Sequence, residues 1–269
     1  MQMESLVNFL DELLDESRGI LHPFFVRGDL EVETKEDASP VTLADRETER
    51  VLREKIHSRF PDHGIIGEEF GSEKEDAEHV WVLDPIDGTK SFISGVPLFG
   101  TLICLLQDGQ PILGAIDQPI LDQRMVGDGK VTSLNGQPVR VRDTSDLCQA
   151  TLLTSDPMDP AIHQSENQWD TLTRKVNIYR TWGDCYGYLL LASGKADIMV
   201  DPIVSKWDFL PVIPIIQGAG GIITDWQGKD PVEGNSIVAA TPGLHAQAIR
   251  ILNSGNITST NLRNTVELS

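Results

Sequence analysis

The sequence predicts a layered α/β fold on three observations. Short apolar runs of strand length interleave with longer amphipathic stretches of helix length, Gly and Pro bound most of these runs, and no internal repeat or low-complexity linker interrupts them. With 269 residues and 40% apolar content, the chain can bury one large core or two closely packed lobes.

In order along the chain, Leu6, Phe9, Leu10, Leu13 and Leu14 share one helical face and predict a first helix ahead of Arg18-Gly19. Residues 31–35 alternate weakly and read as a hairpin or mobile arm. Asp45 opens a second helix pattern carried by Val51, Leu52 and Ile56, with Pro61 beyond its end. Residues 80–83, 100–106, 112–116 and 124–126 read as strands, bounded by turn residues such as Gly109, Pro119 and Gly127. Residues 186–193 form an apolar helix stopped by Gly194, and 196–200 a buried strand. A helix over 209–217 follows Trp207-Asp208 and ends at Gly218, with Pro214 expected to kink it. Residues 222–224 and 236–240 are expected to close the sheet, and 242–252 to form a last helix. The polar tail 253–269 has little periodicity and reads as loose chain or as a segment packing on a partner subunit.

A formal charge of −19 argues against nucleic acid or an anionic membrane as a partner. No run reaches transmembrane length, and the first residues are acidic where a signal peptide would be basic. Cys104, Cys148 and Cys185 are odd in number and lack C-x-x-C spacing, so reduced thiols in a cytoplasmic protein are expected.

The chemistry concentrates in Trp81-Val82-Leu83-Asp84-Pro85-Ile86-Asp87-Gly88-Thr89-Lys90-Ser91-Phe92. Asp84 and Asp87 can face one point beyond the strand end, with the Ile86 carbonyl as a third hard oxygen ligand of the kind Mg2+ prefers. Gly88 lets the backbone approach a phosphate, and a helix starting here would aim its free N–H groups at that anion. A strand ending in an Asp-Gly turn is the plainer account of the same residues. Glu68 and Glu69 form a second acidic element and Asp208 a third; together the three positions suit two or three divalent cations. Taken alone, Glu68 and Glu69 would be a solvated pair and Asp208 a helix N-cap.

Gly67-Glu68-Glu69, Asp84-Pro85-Ile86-Asp87-Gly88-Thr89, Trp207-Asp208 and Gly218-Ala219-Gly220-Gly221, in this order, resemble the inositol monophosphatase family, as does Pro40-Val41-Thr42-Leu43-Ala44-Asp45. The resemblance covers nearly the whole chain. Residues 90–102 and 182–188 look most like its histidinol-phosphate phosphatase branch. It implies an αβαβα sandwich, with an N-terminal lobe (1–140) carrying the metal and phosphate motifs and a C-terminal lobe (141–269) completing the metal site and substrate pocket. It also implies a homodimer, lithium inhibition, and an arm at 31–35 that folds over the site.

The activity implied is Mg2+-dependent hydrolysis of a phosphate monoester. One Mg2+ would be held by Glu68, Asp84 and the Ile86 carbonyl, and a second by Asp84, Asp87 and Asp208. Thr89, backed by Asp45, would position the attacking water, although either residue can instead simply cap a helix. The backbone N–H groups of Gly88 and Thr89 would hold the phosphate, with Lys90 either assisting or facing solvent. Asp184 and Asp201, together with Asp208, are expected on the substrate, because the first two replace residues that suit a polyol and favour a cationic ligand such as histidinol phosphate. Trp182, Tyr186 and Tyr188 either line that pocket or belong to the core. Inositol or sugar monophosphates and adenosine 3',5'-bisphosphate remain alternative substrates, although Ser91 stands where the adenosine bisphosphate branch usually has Glu. A non-catalytic subunit that kept the fold is the reading from a different class.

Overall fold

The computed structural model describes residues 3–27, 32–34 and 40–254. Residues 31 and 35 of the expected arm, and 255–269 of the expected tail, lie outside them. The chain begins with α1 (Met3–Arg27), β1 (Val32–Thr34), β2 (Pro40–Thr42), α2 (Leu43–Arg59), β3 (Gly64–Gly67), β4 (Gly71–Glu73), β5 (His79–Asp87) and α3 (Thr89–Ile93). The strands β6 (Gly100–Gln107), β7 (Gln110–Gln118), β8 (Gln123–Gly127), β9 (Thr132–Leu134), β10 (Gln137–Val139) and β11 (Thr151–Leu153) follow. Then come α4 (Asp159–His163), α5 (Glu166–Thr173), β12 (Ile178–Arg180), α6 (Asp184–Ala192), β13 (Ile198–Asp201) and α7 (Lys206–Phe209). Last are α8 (Val212–Gly218), β14 (Ile222–Thr224), β15 (Ile237–Ala240) and α9 (Pro242–Leu252).

Two large sheets carry the fold. An eight-stranded sheet has the order β10-β9-β8-β7-β6-β5-β3-β4, antiparallel except for the β3–β5 pair. A five-stranded sheet has the order β12-β11-β13-β15-β14, parallel across its first three strands. The segments at 222–224 and 237–240 therefore belong to this second sheet rather than closing the first. The separate β1–β2 ladder pairs Glu33 with Val41.

Strand alternation builds the layers. In β5, Trp81 and Leu83 point to one side and pack with Leu10, Leu13 and Leu14 of α1 and Leu52 and Ile56 of α2. Val80 and Val82 point to the other and join Leu189 of α6 and Ile213 and Ile216 of α8. That same core takes Met199, Ile237 and Ala239 from the near face of the five-stranded sheet. The far face, with Ile198, Val200, Val238 and Ala240, is covered by Trp169 and Leu172 of α5 and Leu244 and Ala248 of α9. The result is a helix–sheet–helix–sheet–helix sandwich, and its middle apolar layer belongs to both sheets.

Helix α1 does not stop at Arg18-Gly19. It runs on to Arg27 because its apolar face continues: Leu21 is buried against Ile86, Phe92 and Phe99, and Phe25 packs on both phenylalanine rings. The same helix is tied to the sheet through Asp117, 1% exposed, which accepts from Arg18 Nε (3.0 Å) and Nη2 (2.8 Å) and from Arg124 Nε (2.8 Å). The expected helix over 209–217 is two helices: α7 starts earlier, at Lys206, and α8 begins after Pro211. Pro214 falls in the first turn of α8, where its missing N–H has no intrahelical acceptor to lose, so the break lies before it.

Candidate active site

The site forms where the C-terminal end of β5 meets α7 and the N-terminus of α6. Two residues three apart on a regular strand would face opposite sides of the sheet, yet Asp84 and Asp87 converge. A bulge is the reason: Asp84 pairs with Leu102 and Asp87 with Gly100, so β5 carries one more residue than β6 across that step. Ile86 is held by its buried side chain, and its N–H donates to Asp84 Oδ1 at 3.0 Å. Asp208 comes from the second half of the chain, fixed as the third residue of α7 by a capping box in which Ser205 N–H donates to Asp208 Oδ2 (2.8 Å). Ser205 is thus the N-cap.

Ligand oxygens of Asp84, Asp87 and Asp208 lie within 4.8 Å of one another. Glu68 faces this trio and shares a hydrogen bond with Asp84. Burial, then repulsion from Glu68, Asp87 and Asp208, holds the Asp84 carboxyl well above the ordinary carboxylate range. Asp87 is raised likewise, by burial and by Asp184 and Asp208, against the stabilising Cys185 N–H that donates to its Oδ2. Asp208 is pushed up to about 7, first by burial and then by its acidic neighbours. Hard oxygen donors crowded in a largely buried space, their repulsion only partly offset by the Ile86, Cys185 and Ser205 N–H groups, are the donor set a divalent cation fits.

Gly88 follows with φ +85°, the left-handed region, and a Cβ there would stand 3.1 Å from both Asp184 Oδ2 and the Leu98 carbonyl. It caps α3, so Thr89, Lys90 and Ser91 present first-turn N–H groups without intrahelical acceptors. Thr89 Oγ1 donates to the Ile86 carbonyl at 3.0 Å and not to Asp45. Asp45 instead closes the capping box of α2, accepting from Thr42 N–H (2.8 Å) and Thr42 Oγ1 (2.7 Å). The expected Thr89–Asp45 hydrogen bond is therefore not made in this structure. Asp45 still belongs to the electrostatics of the site: burial raises its carboxyl to about 6, and Glu68 contributes.

Residues 5–256 match the model of the inositol monophosphatase family. The chain belongs to that family. It is 42% identical over 253 residues to the bifunctional phosphatase IMPL2, chloroplastic, of Arabidopsis thaliana, covering 89% of this chain and 72% of that protein. It is 37% identical over 249 residues to a histidinol-phosphatase of Chlorobaculum parvum, covering 91% and 95% respectively. The solved structure of an inositol monophosphatase from Zymomonas mobilis superposes with a TM-score of 0.84 at 37% identity, covering 94% of this chain and 99% of that one.

Beside the carboxylate centre of this family member opens a cleft of about 400 Å³ that reaches from Glu68 and Thr89 across to Asp156, Asp159 and Asp184. Of the described residues lining it, Lys90 alone is cationic, its Nζ 4.0 Å from Asp156 Oδ2. Asp184 has φ +50°, a conformation rare outside glycine, and its carboxyl is raised to about 6 by burial and by Asp201. Its N–H donates to Ser155 Oγ (2.8 Å), while Ser155 N–H donates to Asp201 Oδ1 (3.1 Å) and Tyr188 OH to Asp201 Oδ2 (2.7 Å). Asp201 is thus a buried support whose two oxygens are both engaged. Tyr188 is buried and Trp182 is 45% exposed beneath the Arg180 guanidinium. Ser155, Asp156 and Asp159 were not singled out from the sequence; the Asp156-Pro157 turn after β11 is the one local signal that marks them.

Proposed function

We propose that this phosphomonoesterase hydrolyses histidinol phosphate to histidinol and phosphate, with Mg2+ at the carboxylate centre. The observation that carries the substrate is the lining of the cleft: Asp156, Asp159 and Asp184 offer three carboxylates to the organic end of the ligand. Such a wall disfavours a polyol bearing only a phosphate and suits an ammonium or imidazolium group. The identity to a histidinol-phosphatase over nearly the whole chain supports the same reading. Glu68, Asp84 and the Ile86 carbonyl, and Asp84, Asp87 and Asp208, are the groups that would hold the ions. When bound, such ions supply a more acidic water and neutralise the phosphate and departing oxygen.

The remaining work falls to the chain itself. The first-turn N–H groups after Gly88 orient the phosphate, Thr89 offers a hydroxyl within the cleft, and Asp184 sits against Gly88 where the ester's organic part would begin. Hydrolysis joins the water oxygen to phosphorus, breaks the ester P–O bond and returns one proton to the departing alcohol. Asp45, raised to about 6, is a buried acid near Glu68 and acts through it rather than on the water. Two or three Mg2+ per site and a homodimer, in line with the family likeness, and a cytoplasmic enzyme, in line with the free Cys104, Cys148 and Cys185, are further parts of the proposal.

A second reading is favoured by the 37% identity to the Zymomonas mobilis inositol monophosphatase, namely that inositol or sugar monophosphates are equally good substrates. Phosphate release with Mg2+ separates them, comparing histidinol phosphate, inositol 1-phosphate and adenosine 3',5'-bisphosphate, with Asp84→Asn as the blank. A clear preference for histidinol phosphate supports the proposal; comparable rates on inositol 1-phosphate overturn its specificity.

A further inference from the structure

We infer that Glu49, buried beneath the acidic turn, is a positioning residue that sets Glu68 against Asp84 and thereby governs metal affinity. Asp45, Glu49 and Arg53 recur at four-residue spacing on one face of α2. Glu49 is fully buried, and its carboxylate accepts from Glu69 N–H at Oε2 (2.7 Å) and from Phe70 N–H at Oε1 (3.2 Å). On the other side, Glu68 N–H donates to the Leu83 carbonyl (3.2 Å), next to Asp84 on β5. The backbone of Glu68 is therefore pinned before its side chain by β5 and after it by Glu49.

Arg53 completes the clamp. Its Nε donates to Glu49 Oε1 at 2.8 Å, its Nη2 to the Gly71 carbonyl, and its Nη1 lies 3.4 Å from Glu73 Oε1. Gly67 admits the carboxylate: a Cβ there would fall 2.0 Å from Glu49 Oε1 and 2.7 Å from Arg53 Nη2. A buried anion bound by two successive backbone amides and one guanidinium fixes the direction of the turn, as outer hydrogen-bond partners commonly do for ligands. The inference rests on Glu68 serving as a metal ligand.

The test titrates Mn2+ into the full-length, chelator-stripped protein, following free ion by electron paramagnetic resonance, for wild type, Glu49→Gln, Gly67→Ala and Glu68→Gln. Melting temperatures are measured in chelator alongside. Glu49→Gln and Gly67→Ala are each expected to weaken Mn2+ binding by about 10- to 100-fold, the range seen for outer-shell partners. Gly67→Ala keeps every charge, so it decides the matter if Glu49→Gln fails to fold. Wild-type Mn2+ affinity in folded Gly67→Ala or Glu49→Gln, with affinity lost in Glu68→Gln, overturns the inference alone. Wild-type affinity in Glu68→Gln overturns the reading of Glu68 and the inference with it.

Discussion

Replacing Asp84 by asparagine is expected to stabilise the metal-free protein while abolishing its phosphatase activity. The ligand oxygens of Asp84, Asp87 and Asp208 lie within 4.8 Å of one another. At that separation and an effective dielectric constant of about 20, two carboxylate charges repel by about 3.5 kcal/mol, and Asp84 enters two such pairs. Protonation relieves part of this, since all three carboxyls are raised and Asp208 titrates at about 7. Folded pKa values above the unfolded ones mean that these groups stabilise the fold fully below about pH 4 and lose that contribution as pH rises through the folded values. For Asp208 the window closes near pH 7. The amide removes one charge and keeps an oxygen for the Ile86 N–H. A gain of about 2 kcal/mol at pH 8 is expected in chelator, or about 4–8 °C for a chain of this size, shrinking toward zero at pH 5. Saturating Mg2+ should reverse the order, because wild type gains about 2.7 kcal/mol at a hundred times its Kd. Thermal melts at pH 5 and pH 8, with chelator or Mg2+ and with phosphate release measured alongside, carry the test. A destabilised variant in chelator at pH 8, or an unchanged pH slope, would refute the reasoning.

Three other substitutions probe separate parts of the molecule. Asp117→Ala leaves Arg18 only Asp122, and Arg124 only Asp11 and Asp15, as ion-pair partners, and should cost about 1.5–3 kcal/mol in urea denaturation without changing kcat or KM; a loss below about 1 kcal/mol would show that the Arg18–Asp117–Arg124 network is not structural. Gly88→Ala forces a left-handed alanine and should cost about 1–2 kcal/mol of stability, with a much larger loss of phosphate turnover; retained turnover would remove Gly88 from phosphate binding. Asp184→Asn should raise KM for histidinol phosphate by about 10-fold or more, the worth of a charged contact, and leave a neutral phosphate ester little affected. Equal effects on both esters would remove Asp184 from substrate selection.

The carboxylates of the site were legible because metal and phosphate chemistry compresses into a few neighbouring residues: Asp84, Asp87 and Gly88 announce themselves within one turn of chain. How Asp84 and Asp87 reach the same point was not legible, since the bulge that aligns them is defined only by pairing with Leu102 and Gly100. Asp156 and Asp159 escaped notice for a related reason. They enter the cleft through the second sheet, and only the Ser155 bridge between Asp184 and Asp201 reveals that these segments meet. At Asp45 the structure shows the helix cap, and the expected hydrogen bond to Thr89 is not made, although the capping box lies buried close enough to Glu68 to feel its charge. The length of α1 is not legible because its second half packs Leu21 and Phe25 on Phe92 of α3 and on Phe99 just before β6, contacts between segments far apart in the chain.

Asp208 is translated long after Asp84 and Asp87, and it reaches them only when α7 docks between the two sheets. A chain that stopped before that helix would carry the phosphate-binding turn and the residues of the acidic wall opposite Lys90, but only two of the three carboxylates of the trio. The trio is therefore assembled by tertiary docking rather than by one local motif, so its geometry reports on how α7 packs against the end of β5.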